Sequence, residues 1–343
     1  ILVRRYVNQE VDDRCKREAK SLARLNSSLG KNFIRTKPKR MPQSVLMCGF
    51  GRADEAIIEK VVATAFEETG LGPIIITQRS VYTKKVYTSL GLPDVIPFSL
   101  IVSDQHMRRA TQALSNMHCE QDLHNFFYND VACGKFAMSS VMRSLRVGTI
   151  NFSDSEVYSA LIRGLAESIS AVHYALKLID KYNAGALVVV DRGYSPFGEL
   201  SSVCIANQIP VYEWHIGHRN DLIIMKCFTA SNAEMHFHSL SNSTWEKYSQ
   251  IAWGERHQTH SDRELVDSYT SGQWYGEVGT QVHVSSVEKK KLIKQLGLDE
   301  SKKTAVVFAH IFWDGTFFWG QDLFKNYEEW YCEVLKAAKK NPN

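Results

Sequence analysis

The chain has 343 residues, 44% of them hydrophobic and 23% charged, with a formal net charge of +4. That length allows two ordinary domains or one large one, and so small a charge gives no reason to expect a nucleic-acid partner. No stretch approaches the ~18 consecutive apolar residues that span a bilayer, and the apolar start Ile1–Tyr6 is broken by Arg4 and Arg5, which argues against a secretory signal.

The chain does not open on Met, so the expectation is a true start that lies upstream or was trimmed. Val7, Val11, Cys15, Ala19 and Leu22 recur at helical spacing, which predicts a helix over 7–28. Arg14, Lys16, Arg17, Lys20 and Arg24 lie on it, and Lys31, Arg35, Lys37, Lys39 and Arg40 follow in a basic linker to residue 43. The plain reading of this segment is a solvated face. The sharper one is peripheral contact with anionic lipid at the inner face of a membrane, where each basic residue contributes ~1 kcal/mol.

An α/β pattern then begins. Ser44–Cys48 reads as a short buried strand running into Gly49-Phe50-Gly51, followed by a helix over 54–69 that Gly70 closes. Pro73–Thr77 is a second strand, 80–91 a second helix and Val95–Phe98 a third strand. Between 103 and 184 the pattern turns helical. The longest helix, 155–182, lines up Val157, Leu161, Leu165, Ile169, Val172, Leu176 and Ile179, with Asp154 and Ser155 as N-cap candidates. The parallel pattern returns with Ala186–Val190, a helix over 197–207 and Ile209–Glu213, and further strands are expected at 221–228 and 234–238.

These elements predict an α/β domain with a parallel sheet over 44–240, carrying a helical insert at 103–184. Residues 241–300 read as a polar, helical connector. Thr304–Ala309 is a further apolar run, expected to be a buried strand, followed by a loop at 310–320 and a helix over 322–339. One strand and one helix cannot bury their own apolar faces, so 301–343 either continues beyond residue 343 or docks on something outside the sequence; it is read as the start of a second, Rossmann-like domain that is truncated in this chain.

Ligands of open parallel sheets bind beyond the carboxyl ends of the strands, and four such ends carry suggestive residues. Gly49, Gly51 and Arg52 open a helix where backbone N–H groups can approach a phosphate or a sugar; a plain structural turn is the alternative. Thr77-Gln78-Arg79 supplies no acid for a nicotinamide ribose. Asp191 and Arg192 follow the Ala186–Val190 strand: they either pair internally, or Asp191 takes a proton from an acceptor hydroxyl. Glu199, in the first turn of the next helix, either faces the cleft or serves the helix dipole.

Glu213, His215, His218 and Arg219 follow a buried strand. Sugar or phosphate contact, or general-base work by His215, suits them better than metal binding, because Gly217 argues against the helix that His215 and His218 would need. His310, Trp313, Asp314, Gly315 and Thr316 form a loop able to turn over a phosphate, with aromatics for stacking. Phe312, Phe317 and Phe318 are equally suited to core packing. The seven cysteines include no C-x-x-C pair, so neither a disulfide framework nor a cysteine zinc site is expected, and a reducing, cytoplasmic setting fits them.

Val306–Phe318 and Asp322–Trp330 resemble the opening of the second domain of bacterial capsule and surface-polysaccharide glycosyltransferases. Asn129–Lys135 with Ser139–Arg143 resembles another segment of those proteins, and Val188–Glu213 resembles the last unit of a GT-B first domain. The resemblance implies a GT-B enzyme with two Rossmann-like domains, the acceptor against the first and the nucleotide sugar against the second. It implies a nucleotide-sugar donor as co-substrate, no other cofactor and no metal, and a glycan or lipid-linked acceptor. Asp191, Arg192 and His215 would face His310, Trp313, Asp314, Gly315 and Thr316 across the cleft, with Asp191 or His215 as base. Two other readings stay open. The Asp191–Arg219 region is also similar to nucleotide-sugar 2-epimerases, and a non-catalytic scaffold of a polysaccharide-assembly machine would suit the basic N-terminal helix.

Overall fold

The structure, a computed structural model, describes residues 41–77, 81–92, 94–98, 100–217, 222–271, 288–314 and 323–341, with a few helical residues between Asp13 and Ser21. Of the expected N-terminal helix, only Asp13, Lys16, Arg17, Lys20 and Ser21 are described; all are helical and exposed. Two compact units divide the chain. The first is Ile1–Trp214, Lys226–Glu234 and Phe312–Gly320; the second is His215–Met225, Met235–Ile311 and Gln321–Asn343.

The fold is α/β, built on strands β1 (Gln43–Gly49), β2 (Leu71–Thr77), β3 (Val95–Pro97), β4 (Ala184–Val189), β5 (Val211–Ile216) and β6 (Ile223–Phe228), in the order β3-β2-β1-β4-β5-β6. Strands β3, β2, β1, β4 and β5 are parallel, with Met47 opposite Ile75 on one side and Val188 on the other. Only residues 217–222 join β5 to β6. A parallel crossover needs about a dozen residues or more, so β6 runs antiparallel.

Helices α1 (Ala53–Glu68) and α2 (Val81–Ser89) connect the first three strands. Val45, Met47, Ile75, Ala186 and Val188 point to their side of the sheet and pack with Ala56, Val62, Ala63, Val86, Tyr87 and Leu90. The alternate residues Leu46, Cys48, Ile76, Leu187 and Val189 are equally buried. Burial on both faces is why these strands read as unbroken apolar runs.

The excursion between β3 and β4 is helical: α3 (Asp104–Leu114), α4 (Glu120–His124), α5 (Cys133–Leu145) and α6 (Ser155–Tyr182). Asp154 Oδ1 caps α6 by accepting from Glu156 N at 2.8 Å and Val157 N at 3.2 Å. Asn183, left-handed at φ 46°, ends it. Helix α7 (Phe197–Ala206) joins β4 to β5.

Helices α8 (Asn242–Ser249), α9 (Glu255–Ser271), α10 (Lys289–Leu296) and α11 (Tyr327–Lys340) complete the described elements. Two expected strands are corrected. Residues 234–238 form turns. Thr304–Ala309 forms no strand, with Val306 68% and Phe308 86% exposed. An apolar run becomes a strand only where a neighbour accepts its backbone hydrogen bonds, and 304–309 has none among the described residues. The reading of 301–343 as the opening of a Rossmann-like domain therefore has no sheet beneath it there. Among the described residues no helix is long and apolar enough to cross a membrane.

Candidate functional site at the carboxyl ends of β1 and β4

Connections leave β1 toward β2 and β3 on one side, and β4 toward β5 and β6 on the other. The direction of winding therefore reverses between β1 and β4, and the crevice beyond their carboxyl ends is where ligands of such sheets bind. Two loops flank it: the turn 49–52 after β1 and the loop 190–196 after β4. Phe50 of the turn meets Phe197 at the start of α7, ring centroids 5.8 Å apart. Phe98, just past β3, meets the same ring at 5.8 Å and Tyr174 of α6 at 4.7 Å. The mouth of the crevice is thus a group of half-buried aromatic rings.

The glycines of the first turn have a packing reason. A Cβ on Gly49 would run into the Tyr87 hydroxyl, and Gly51 sits at φ +75° against Thr83, a conformation that suits glycine. Gly51 N donates to Tyr87 Oη at 3.0 Å. Tyr87 is buried beside Glu59. Burial, then the Glu59 charge, pushes its phenol well above its ordinary value. Arg52 Nε lies 3.3 Å from Glu55 Oε1. The turn directs a donor inward and sits over two carboxylates, which is an unfavourable setting for a phosphate.

The loop after β4 is held more firmly. Asp191 Oδ1 accepts from Gly193 N at 2.7 Å, closing the turn while the residue stays half-buried. Arg192 and Glu213, expected to face substrate, are instead 5% and 0% exposed. Arg192 Nε donates to Glu213 Oε2 at 2.9 Å, a second nitrogen donates to the Ala233 carbonyl at 2.7 Å, and the guanidinium lies 3.6 Å over the Phe228 ring. Burial pulls the Arg192 pKa down and Glu213 opposes it. This pair staples β4 to β5: register sets Val189 opposite Glu213, so the side chain three residues on can reach back.

Glu199 is also corrected. It stands in the first turn of α7 yet is fully buried, and neither carboxylate oxygen has a hydrogen-bond partner. Burial pushes its carboxyl up to about 7, with the nearby Ser168 and Ser195 hydroxyls pulling weakly the other way. Burial and the Glu199 charge together push the Cys133 thiol up to about 12.

Tyr194, which the sequence did not single out, is the point of convergence. Its hydroxyl donates to Asp314 Oδ1 at 2.6 Å, and the Arg143 guanidinium lies 4.4 Å over its ring. The next residue, Ser195, donates its N–H to Ser140 Oγ at 3.3 Å. Asp191, Tyr194, Arg143 and Asp314 all belong to the first unit, as does half-buried Trp313. The only trace in the sequence was positional: Tyr194 follows a strand end, and Arg143 closes a buried helix.

Of the remaining expectations, His215 and His310 fall in the second unit. The His215 ring packs 4.2 Å from Phe237 and 5.8 Å from His238, which in turn lies 5.5 Å from His236. His310 stacks on Tyr327 at 4.1 Å. No three His, Cys, Asp or Glu side chains among the described residues are placed to hold a metal. His218, Arg219, Gly315 and Thr316 lie outside the described residues. Compared with protein-family models, with curated proteins and with solved structures, the chain matches none.

Proposed function

We propose that this chain is a glycosyltransferase that moves a sugar from a nucleotide-sugar donor to a glycan or lipid-linked acceptor, using the β1–β4 crevice for the acceptor. The observation that carries the reading is the Arg143–Tyr194–Asp314 contact. Arg143 and Asp314 come from the two separate segments that resemble polysaccharide glycosyltransferases, and both meet Tyr194, which stands in a third.

The chemistry follows from the side chains at hand. The Phe50, Phe98 and Phe197 rings offer apolar faces for a sugar. Asp191, half-buried at the end of β4, accepts the proton of the acceptor hydroxyl as its oxygen attacks the anomeric carbon. The bond to the nucleoside diphosphate breaks with its electron pair on the diphosphate. Arg143 is exposed and forms no ion pair among the described residues, so it is suited to that leaving charge.

The test is a nucleotide-sugar panel on the full chain, scoring nucleotide release with and without glycan acceptor. The expected result is release that depends on acceptor. Isomerisation or release without acceptor would favour the epimerase-like reading, and no release from folded protein would overturn the proposal.

A further inference from the structure

In the first unit, the helical excursion holds a chain of hydrogen bonds with a definite direction. Ser103 caps α3: its hydroxyl accepts from His106 N at 3.3 Å, and its own N–H lies 3.2 Å from His106 Nδ1. A backbone N–H is only a donor, so Nδ1 of His106 is the acceptor and its proton is on Nε2. That nitrogen is 3.0 Å from His173 Nδ1, which must accept, leaving the His173 proton on Nε2. His173 Nε2 is 2.9 Å from Tyr128 Oη, and Arg109 donates to the same oxygen at 2.6 Å. Tyr128 Oη thus accepts twice, and its own proton faces away from both donors.

The surroundings are positive. Arg109 of α3 and Lys177 of α6 are the charged groups that face the two rings, and both are exposed. Burial first holds both imidazoles below their ordinary value; at His106 Arg109 and Lys177 add to it and the Ile101 carbonyl opposes it, and at His173 the His106 ring adds next, then Arg109 and Lys177. Neutral rings are what the chain of bonds requires. Arg109 donates to a neutral phenol, and no carboxylate pairs with Arg109 or Lys177 among the described residues. Tyr128 itself is fixed by a tight turn: it exchanges hydrogen bonds with Val131 across Asn129 and Asp130, which stand at φ 47° and 61°.

We propose that Tyr128, Arg109 and Lys177 form a binding site for a phosphate group. The Tyr128 O–H and the Arg109 guanidinium supply donors at one point, Lys177, one helical turn along α6 from His173, adds positive charge beside the rings, and a phosphate offers acceptor oxygens to such donors. The His106–His173 pair positions Tyr128 and does not touch the ligand. The site does not depend on the proposed glycosyl transfer.

Two measurements on the full chain test it. Long-range proton–nitrogen spectra of the imidazoles at neutral pH read the tautomers directly: both rings should carry their proton on Nε2. A proton on Nδ1 of His106, donating to the Ile101 carbonyl, would overturn the assignment with no variant needed. Inorganic phosphate should shift the His173 resonances, and Tyr128→Phe should weaken that binding about tenfold or more, since a hydrogen bond to a charged group is lost. No shift in the wild type, or equal affinity in the two proteins, would also overturn it. A parallel arm with phosphatidylcholine vesicles containing phosphatidic acid separates the sources. Vesicle binding that Tyr128→Phe weakens assigns a lipid headgroup, and phosphate binding without it assigns a soluble ligand.

Discussion

Glu199 and Glu213 are two fully buried carboxylates of one unit in opposite surroundings. Glu213 is buried against a guanidinium, whereas Glu199 is buried without a counter-charge and its carboxyl is pushed from an ordinary 4.5 to about 7. The fold therefore holds the Glu199 proton more tightly than the unfolded chain does. Its contribution to stability is complete below about pH 4.5 and is lost as pH rises through about 7. The loss amounts to roughly 3 kcal/mol. Urea denaturation of Glu199→Gln across that range should show a flatter pH dependence than the wild type and greater stability above pH 7. Parallel curves would show that Glu199 is not protonated by burial. The Arg192–Glu213 pair behaves differently. Glu213→Gln leaves a guanidinium buried without its counter-charge and should cost about 3–5 kcal/mol in the same assay. Replacing both residues by leucine should cost much less.

At the scale of elements, the sequence marked what local physics controls. The runs Ser44–Cys48 and Ala186–Val190 are buried on both faces and announce themselves by composition. Helix α6 announces itself by period and by Asp154, whose replacement by alanine should lower stability by about 1 kcal/mol in thermal unfolding. Thr304–Ala309 carries the same apolar signal without a partner strand, and nothing within six residues reports whether a neighbour will be there. The site was legible to the same extent. Asp191 stands at a strand end by local pattern alone. The pairing of Arg192 with Glu213 depends on the register of β4 and β5, and the meeting of Tyr194 with Asp314 spans residues far apart in sequence. Those facts exist only in the folded chain, which is why Arg192 and Glu213 looked like ligand contacts and Tyr194 did not.

At the scale of the whole molecule, strand order sets the functional claim. Because winding reverses between β1 and β4, the aromatic rings after β1 and β3 and the Asp191 loop after β4 open on one crevice. Among the described residues, the second unit contributes four helices and the histidine–Phe237 packing. The resemblance assigns the nucleotide sugar to a second domain, so donor choice is the part of the reaction least defined by the first unit. The central claim is that Asp191 removes a proton from an acceptor held in this crevice. The most direct test compares acceptor-dependent nucleotide release by the full chain and by Asp191→Asn, with unchanged folding confirmed by circular dichroism. The account predicts a fall in kcat of about 10²–10⁴-fold in the variant. Release at the wild-type rate would contradict it.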